Sequence, residues 1–440
     1  MVEAALESTR ISTKGLVKSV FSLEGVLATY LWAGIFKSMF REFMVIDLTS
    51  LLGGILILCV GCESVLHRRH LRVPVPFCLA YGLYAGALLL SLTYTTAPID
   101  VAKLKLFRLV IVDGLAVVMT LLFITDIEKL ERFMKALILI GLAISLYAMA
   151  TSLPGQWSLG GVGGSSYIGD GRAIGMALSL CIGMFGFRRL LEQAMVVVLI
   201  GGLLVVSARG PIIATLAAFF ILTLYEAKKL RKPNVSALIG LLIGAYVLLL
   251  LDSRGYFYTM RLRLASLSTR TADASFSDRM YFAKSAAEMF SRRPVFGWGL
   301  SSFPFYVGCA NAEETPHNLV LELLCEVGIV GLLPFLALLT ITLSRLRARM
   351  RMPAVMVRGL WCVYVFWILT IPALGLQSAR PFLSLLAATS ALGAGCPKGE
   401  DERVPARQPG CYRDRLCRNR TKKSAGWYCL VGLMMTRRKH

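Results

Sequence analysis

The stretch ETPHNLVLELLCEVGIVGLL, residues 314–333, sets His317, Glu322 and Glu326 into an otherwise apolar run. A histidine at a helix start is suited to proton work. The helix dipole lowers its pKa and favours the neutral imidazole near pH 7. A neutral imidazole can accept a proton or hold a hydroxyl. Thr315 is placed to cap this helix and Pro316 to take its first position. Asn318, Glu322 and Glu326 continue at helical spacing as one polar stripe, which inside a membrane must face other helices rather than lipid. Glu322 is then a second base or the group that fixes the imidazole tautomer. The alternative is a capping or interfacial histidine, with both acids paired to a buried arginine.

Two arginines suggest a phosphate. Arg209 lies in VVSARGPIIA between two short apolar runs, where Gly210 and Pro211 turn the backbone. An arginine at membrane depth is costly and marks a function unless it snorkels to the interface. Arg279 lies in SFSDRMYFAKSAAEMFSRRP, where Phe276, Met280, Ala283, Ala287 and Phe290 recur at helical spacing. Ser277 as N-cap puts Arg279 in the first turn, the wrong place for a cation unless an anion sits against it. Free N–H groups and a guanidinium then converge on one phosphate. Pairing of Arg279 with Asp278 or Asp273 is the competing reading. Arg172, Asn318, Arg292 and Arg293 complete the candidates for substrate contact. Glu313 and Glu314 read as solvated loop acids, and no metal site is expected.

The elements that must position these residues are membrane helices. The chain has 440 residues, 56% hydrophobic and 17% charged, against about 25% charged in a soluble domain. Runs of about 20 apolar residues predict an all-α polytopic membrane protein with about twelve spans. Among them are 22–40, 104–125, 172–187, 193–207, 210–225, 235–251 and 317–343. The basic clusters HRRHLR, FRRL, EAKKLRK and RLRARMRM all fall on the cytoplasmic side of this plan. A long, partly helical loop, 252–316, then faces outward between the ninth and tenth spans. The membrane domain covers 1–396. Residues 397–440 form a basic cytoplasmic tail, expected to be disordered beside anionic lipid. The net charge of +22 is mostly this inside bias and the tail, so no nucleic acid is expected. The eleven cysteines lie mostly in spans and suggest no external disulfide framework.

Three motifs resemble the O-antigen ligase and polymerase family of bacterial envelope enzymes. They are SARGPIIATLAAFF, DRMYFAKSAAEMFSRRPVFGWGLSSF and PHNLVLELLCEVGIVGLLPFLALL. The resemblance is specific over roughly 205–344. It maps the family's arginines to Arg209 and Arg279 and its histidine to His317. It implies transfer of a glycan from undecaprenyl pyrophosphate to a sugar hydroxyl of lipid A–core, on the periplasmic face of the inner membrane. Neither a nucleotide cofactor nor a metal is then required, and the partners are the lipid-linked donor, the lipid A–core acceptor and membrane lipids. O-antigen polymerase and protein O-oligosaccharyltransferase share these residues and remain alternatives. A lipid-linked glycan transporter is the alternative of a different class.

Overall fold

The computed structural model describes residues 19, 22–39, 47–67, 74–151, 167–185, 189–227, 246, 249, 250, 252–255, 257, 261, 274–348 and 352–392. These belong to one compact unit, Met1–Gly395. Their regular structure is helical: α1 Leu23–Leu31, α2 Ala33–Met39, α3 Leu48–His67, α4 Val75–Ser91, α5 Ile99–Leu106, α6 Asp113–Phe123, α7 Ile127–Thr151, α8 Tyr167–Met184, α9 Leu190–Val206, α10 Arg209–Ala227, α11 Ala274–Arg292, α12 Ser302–Tyr306, α13 Leu319–Glu326, α14 Gly328–Ala348, α15 Ala354–Thr370 and α16 Arg380–Ala391. Among the described residues, five continuous helical stretches are long and apolar enough to cross a membrane: Val75–Tyr94, Ile99–Phe123, Ile127–Thr151, Gly328–Arg347 and Ala354–Ala373. Leu48–Cys62, Leu190–Val206 and Arg209–Ile221 are shorter apolar helices. This is the architecture of a multi-pass membrane protein, because apolar helices of this length satisfy their backbone internally. Most of the expected ninth span, 235–251, most of the Gly-rich segment before Tyr167 and the tail 397–440 lie outside the described residues.

Helix α8 is the axis of the packing. Its residues are buried on nearly every face, and it touches α7, α9, α10 and α15. Small residues permit this closeness. A Cβ on Gly183 would come within 2.5 Å of the Gly359 Cα, and one on Gly141 within 2.2 Å of the Ala177 Cβ. Beyond α15, α16 packs on α6 and α14, and the Trp367 and Phe382 rings stack at 5.8 Å. One ion pair pins α6 to α16: Arg380 Nε donates to Asp113 Oδ1 at 2.7 Å, with Asp113 1% exposed. Removing one member of such a buried pair costs about 3–5 kcal/mol.

Two expected spans are broken. The stretch 22–40 divides at Trp32 into α1 and α2, both too short to cross alone. The stretch 317–343 divides at Val327 into α13 and α14, with Gly328 at φ 72°. The break is held by the turn that follows α11. Trp298 and Gly299 N–H groups donate to the carbonyls of Cys325 and Glu326, and those of Ile329 and Val330 donate to the carbonyls of Pro294 and Val295. The turn therefore satisfies backbone groups that a continuous helix would have satisfied itself. Little room is left: a Cβ on Gly328 would sit 2.2 Å from the Val295 carbonyl oxygen.

Candidate functional site

His317 precedes its helix rather than opening it. Helix α13 starts at Leu319, and Asn318 is the N-cap, its side-chain oxygen accepting from the Val320 and Leu321 N–H groups. Thr315 and Pro316 therefore stand outside the helix, because an asparagine two residues later caps it directly. His317 takes φ 52°, a left-handed conformation uncommon outside glycine. Its Nε2 lies 3.0 Å from Glu314 Oε1. The half-buried Glu314 is thus an imidazole partner, not a solvated acid. Glu313 is exposed and pairs with Arg108 at 2.9 Å.

Glu322 does not support the histidine by contact. Its Oε1 lies 2.7 Å from Lys105 Nζ, and its Oε2 accepts from Leu376 N–H at 2.9 Å. Glu326 Oε2 lies 2.7 Å from the same ammonium. The polar stripe is real and turned inward, with both carboxylates fully buried. Its partner is a lysine from α5, which the hydropathy pattern hides inside an apolar helix. Just past Lys105, residues Phe107–Val112 form a π-helical segment, a feature frequent near functional sites.

The arginines lie on three elements. Arg172 belongs to α8 and is 6% exposed. One of its N–H groups donates to the Ala373 carbonyl. Its Nε is buried with no hydrogen-bond partner among the described residues. Arg209 starts α10 two residues after Ser207, which closes α9 at φ 57°. A Cβ on Gly171 would lie 2.4 Å from Ala208, so the backbone preceding Arg172 lies against the turn that carries Arg209. Arg279 approaches on α11. This helix begins at Ala274, so Ser277 is not its cap and Arg279 is in the second turn. Nothing in Ala274–Phe276 stops the helix from extending back. Helix α11 packs on α13, and the Phe282 and His317 rings are 6.3 Å apart. Arg279 sits one turn before Phe282, on the same face. Its positive charge acts on both Arg172 and His317.

The apolar stripe of α11 differs from the expected one. Met280 and Ala287 are exposed, while Ala286 and Met289 are buried with Phe303 and Cys325. The inward face is therefore chosen by α13 and the turn after α11. Arg292 and Arg293 are not brought to this cluster. They lie at the other end of α11, about 20 Å from Arg279 at 1.5 Å per residue. Arg292 pairs with Glu288 at 2.5 Å, and Arg293 stacks 4.2 Å over the Trp298 ring. Both have structural partners instead.

His317 lies outside the five apolar spans. Its pKa is lowered, chiefly by burial and further by Arg279 and Arg172, against the raising effect of Glu314 and Glu322. The imidazole is thus kept neutral near pH 7. With Nε2 turned to Glu314, the lone pair on Nδ1 is the one available to a ligand. The arrangement offers a proton acceptor within electrostatic reach of two guanidinium groups, those of Arg172 and Arg279.

Fold and site define a multi-pass helical membrane protein with a cationic, single-histidine centre. The family model described as O-antigen ligase matches residues 194–336. The match includes Arg209, Arg279, His317 and Glu322, and supports a ligase- or polymerase-type function acting on lipid-linked glycan. No curated protein matches the chain. Arg172 and Lys105 lie before the matched segment and Glu314 lies within it; sequence reasoning gave Arg172 little weight and missed the roles of the other two. A charged residue inside an apolar run was the available signal for Lys105.

Proposed function

We propose that the protein is an O-antigen ligase of the inner membrane. It transfers a glycan from undecaprenyl pyrophosphate to a sugar hydroxyl of lipid A–core at the periplasmic face. The observation that supports this reading best is that the charges of Arg172 and Arg279 reach the imidazole of the His317–Glu314 pair, with the turn that carries Arg209 packed against the backbone before Arg172. The full plan of about twelve spans, with the loop 252–316 in the periplasm, belongs to the same proposal.

The chemistry follows from the residues. The arginines receive the donor's pyrophosphate and stabilise the charge that grows as it leaves. Glu314 orients the imidazole through Nε2. The acceptor hydroxyl gives its proton to Nδ1 of His317 as its oxygen attacks the anomeric carbon. The bond from that carbon to the phosphate oxygen breaks with its electron pair, and undecaprenyl pyrophosphate departs. Such direct displacement inverts the anomeric centre. Glu322 acts at a distance, by holding Lys105 and the Leu376 backbone.

A deletion strain tests the reading through its lipopolysaccharide. The expected result is loss of long glycan from lipid A–core while undecaprenyl-linked polymer persists. Caps of a single repeat would assign the chain to polymerisation. Intact lipopolysaccharide with unglycosylated envelope proteins would make protein the acceptor.

A further inference from the structure

The stretch RRPVFGWGL, residues 292–300, sets two arginines before two large apolar residues, and glycines follow. The fold sorts these side chains against the habit of a turn in water. Gly297 and Gly299 are buried. A Cβ on Gly297 would lie 2.6 Å from the Glu326 carbonyl, and one on Gly299 would lie 2.1 Å from the Thr95 Cα. Val295 and Phe296 are turned out instead, 51% and 49% exposed. A turn surrounded by water gains by burying its large apolar side chains and leaving its small ones outside.

The turn is fastened to two spans at once. Tyr94 Oη, at the end of the span Val75–Tyr94, donates to the Phe296 carbonyl at 2.7 Å, and the two rings meet edge-on with centroids 6.2 Å apart. At the start of α14, the Ile329 and Val330 N–H groups donate to the carbonyls of Pro294 and Val295. Val295 and Phe296 therefore stand at the level where these spans end. Exposed apolar side chains continue from there along both spans: Ile329, Leu333 and Leu336 at helical spacing on α14, and Leu89 and Leu90 on α4. On a membrane span such side chains meet lipid. The opposite ends of the two spans border HRRHLR and RLRARMRM, the mark of a cytoplasmic side, so the turn belongs to the outer leaflet. Arg293, stacked 4.2 Å over the Trp298 ring, and Arg292 are exposed beside it. An apolar tip flanked by aromatic and basic residues is the pattern of an interfacial anchor, with the tip in the acyl boundary and the amphipathic groups among the headgroups.

We propose that the turn Pro294–Trp298 is a membrane-interface anchor. Val295 and Phe296 insert into the outer phospholipid leaflet, and Arg293, Trp298 and Tyr94 sit at its headgroups. The leaflet is the occupant because the patch runs unbroken into the lipid-facing surface of two spans, so a protein seated on it would have to displace lipid from both. The anchor does not depend on the glycan-transfer reading. It fixes one end of α11 at the lipid surface, and Arg279 lies about 20 Å further along that helix.

Purified full-length protein in nanodiscs of phosphatidylethanolamine and phosphatidylglycerol tests this. The comparison is Val295→Cys against Ala287→Cys, an exposed position on α11. A charged, water-soluble maleimide should label position 295 about tenfold more slowly than position 287, because a thiol in lipid forms little thiolate and the reagent stays in water. Labelling at each position is read by mass spectrometry, and equal rates overturn the anchor. A second measurement gives a positive signal. With photoreactive benzoylphenylalanine in place of Phe296, illumination should add the mass of one phospholipid at that position. Crosslinking to a second copy of the chain, or no lipid adduct, overturns the proposal. Added undecaprenyl pyrophosphate should leave the phospholipid adduct undiminished. Its displacement would give the patch to a prenyl tail and overturn the assignment to the leaflet.

Discussion

Nε2 of His317 stands 3.0 Å from Oε1 of Glu314, three residues earlier in the chain. The left-handed backbone at His317 brings its side chain back towards that carboxylate. Burial and the charges of Arg279 and Arg172 lower the imidazole pKa, and Glu314 raises it. Activity that needs the neutral imidazole is therefore level at neutral pH and falls as pH drops through the lowered pKa. Glu314→Gln removes a raising influence, so its acid limb moves to lower pH. Arg279→Gln removes a lowering influence, so its acid limb moves up. Initial rates of glycan transfer across pH check both, and limbs moving the opposite way refute the assignment. His317→Ala should cost about 10²–10⁴-fold in rate.

Arg172 is the most specific prediction among the arginines, since it lies outside the matched segment. Arg172→Ala, Arg209→Ala and Arg279→Ala should each lower kcat by about 10²–10³-fold with the protein still inserted. Lysine should rescue poorly, because it lacks the planar fork that grips a phosphate. The check is single-turnover transfer in membranes of matched protein content. Normal rates in Arg172→Ala would remove it from the site.

Lys105 serves two buried carboxylates at 2.7 Å each. Lys105→Met leaves both without their cation and should destabilise the fold by about 3–5 kcal/mol. Adding Glu322→Gln and Glu326→Gln should recover part of that loss, since the uncompensated charge is gone. Thermal unfolding in detergent measures the difference. Equal stability of single and triple variants would show that the ion pairs contribute little.

Gly328→Ala tests the helix break. The new Cβ would lie 2.2 Å from the Val295 carbonyl oxygen, at φ 72°. Overpacking of about 1–3 kcal/mol then adds to about 1–2 kcal/mol for left-handed backbone. Gly308→Ala is the control: it has φ 69° and nothing within 4 Å, so only the backbone penalty applies. Similar melting temperatures for the two variants would refute the tight stitching of α13 and α14.

Chelator should leave transfer unaffected if the arginines alone carry the leaving charge. The readout is the initial rate in purified protein with and without chelator. Lost activity, restored by a divalent cation, would reassign Glu313 and Glu314 as ligands.

The sequence by itself determined the membrane class, because long apolar runs leave few other fates for a chain. It also marked Arg209, Arg279 and His317, since charge and imidazole stand out against such runs. It marked the inward stripe of Glu322 and Glu326 through helical spacing. Tertiary structure alone decided the pairings. Glu314 carries no local oddity and Lys105 only its charge inside an apolar run, and only the folding of α5 and the 301–314 segment against α13 gives them partners. The same holds for Arg172, whose depth depends on how α8 packs, and for the break at Gly328, whose backbone is satisfied from a turn about thirty residues earlier, where the carbonyls of Pro294 and Val295 accept. Periodicity reports which face of a helix is apolar. It does not report which neighbour that face will meet, and the site is made of such meetings.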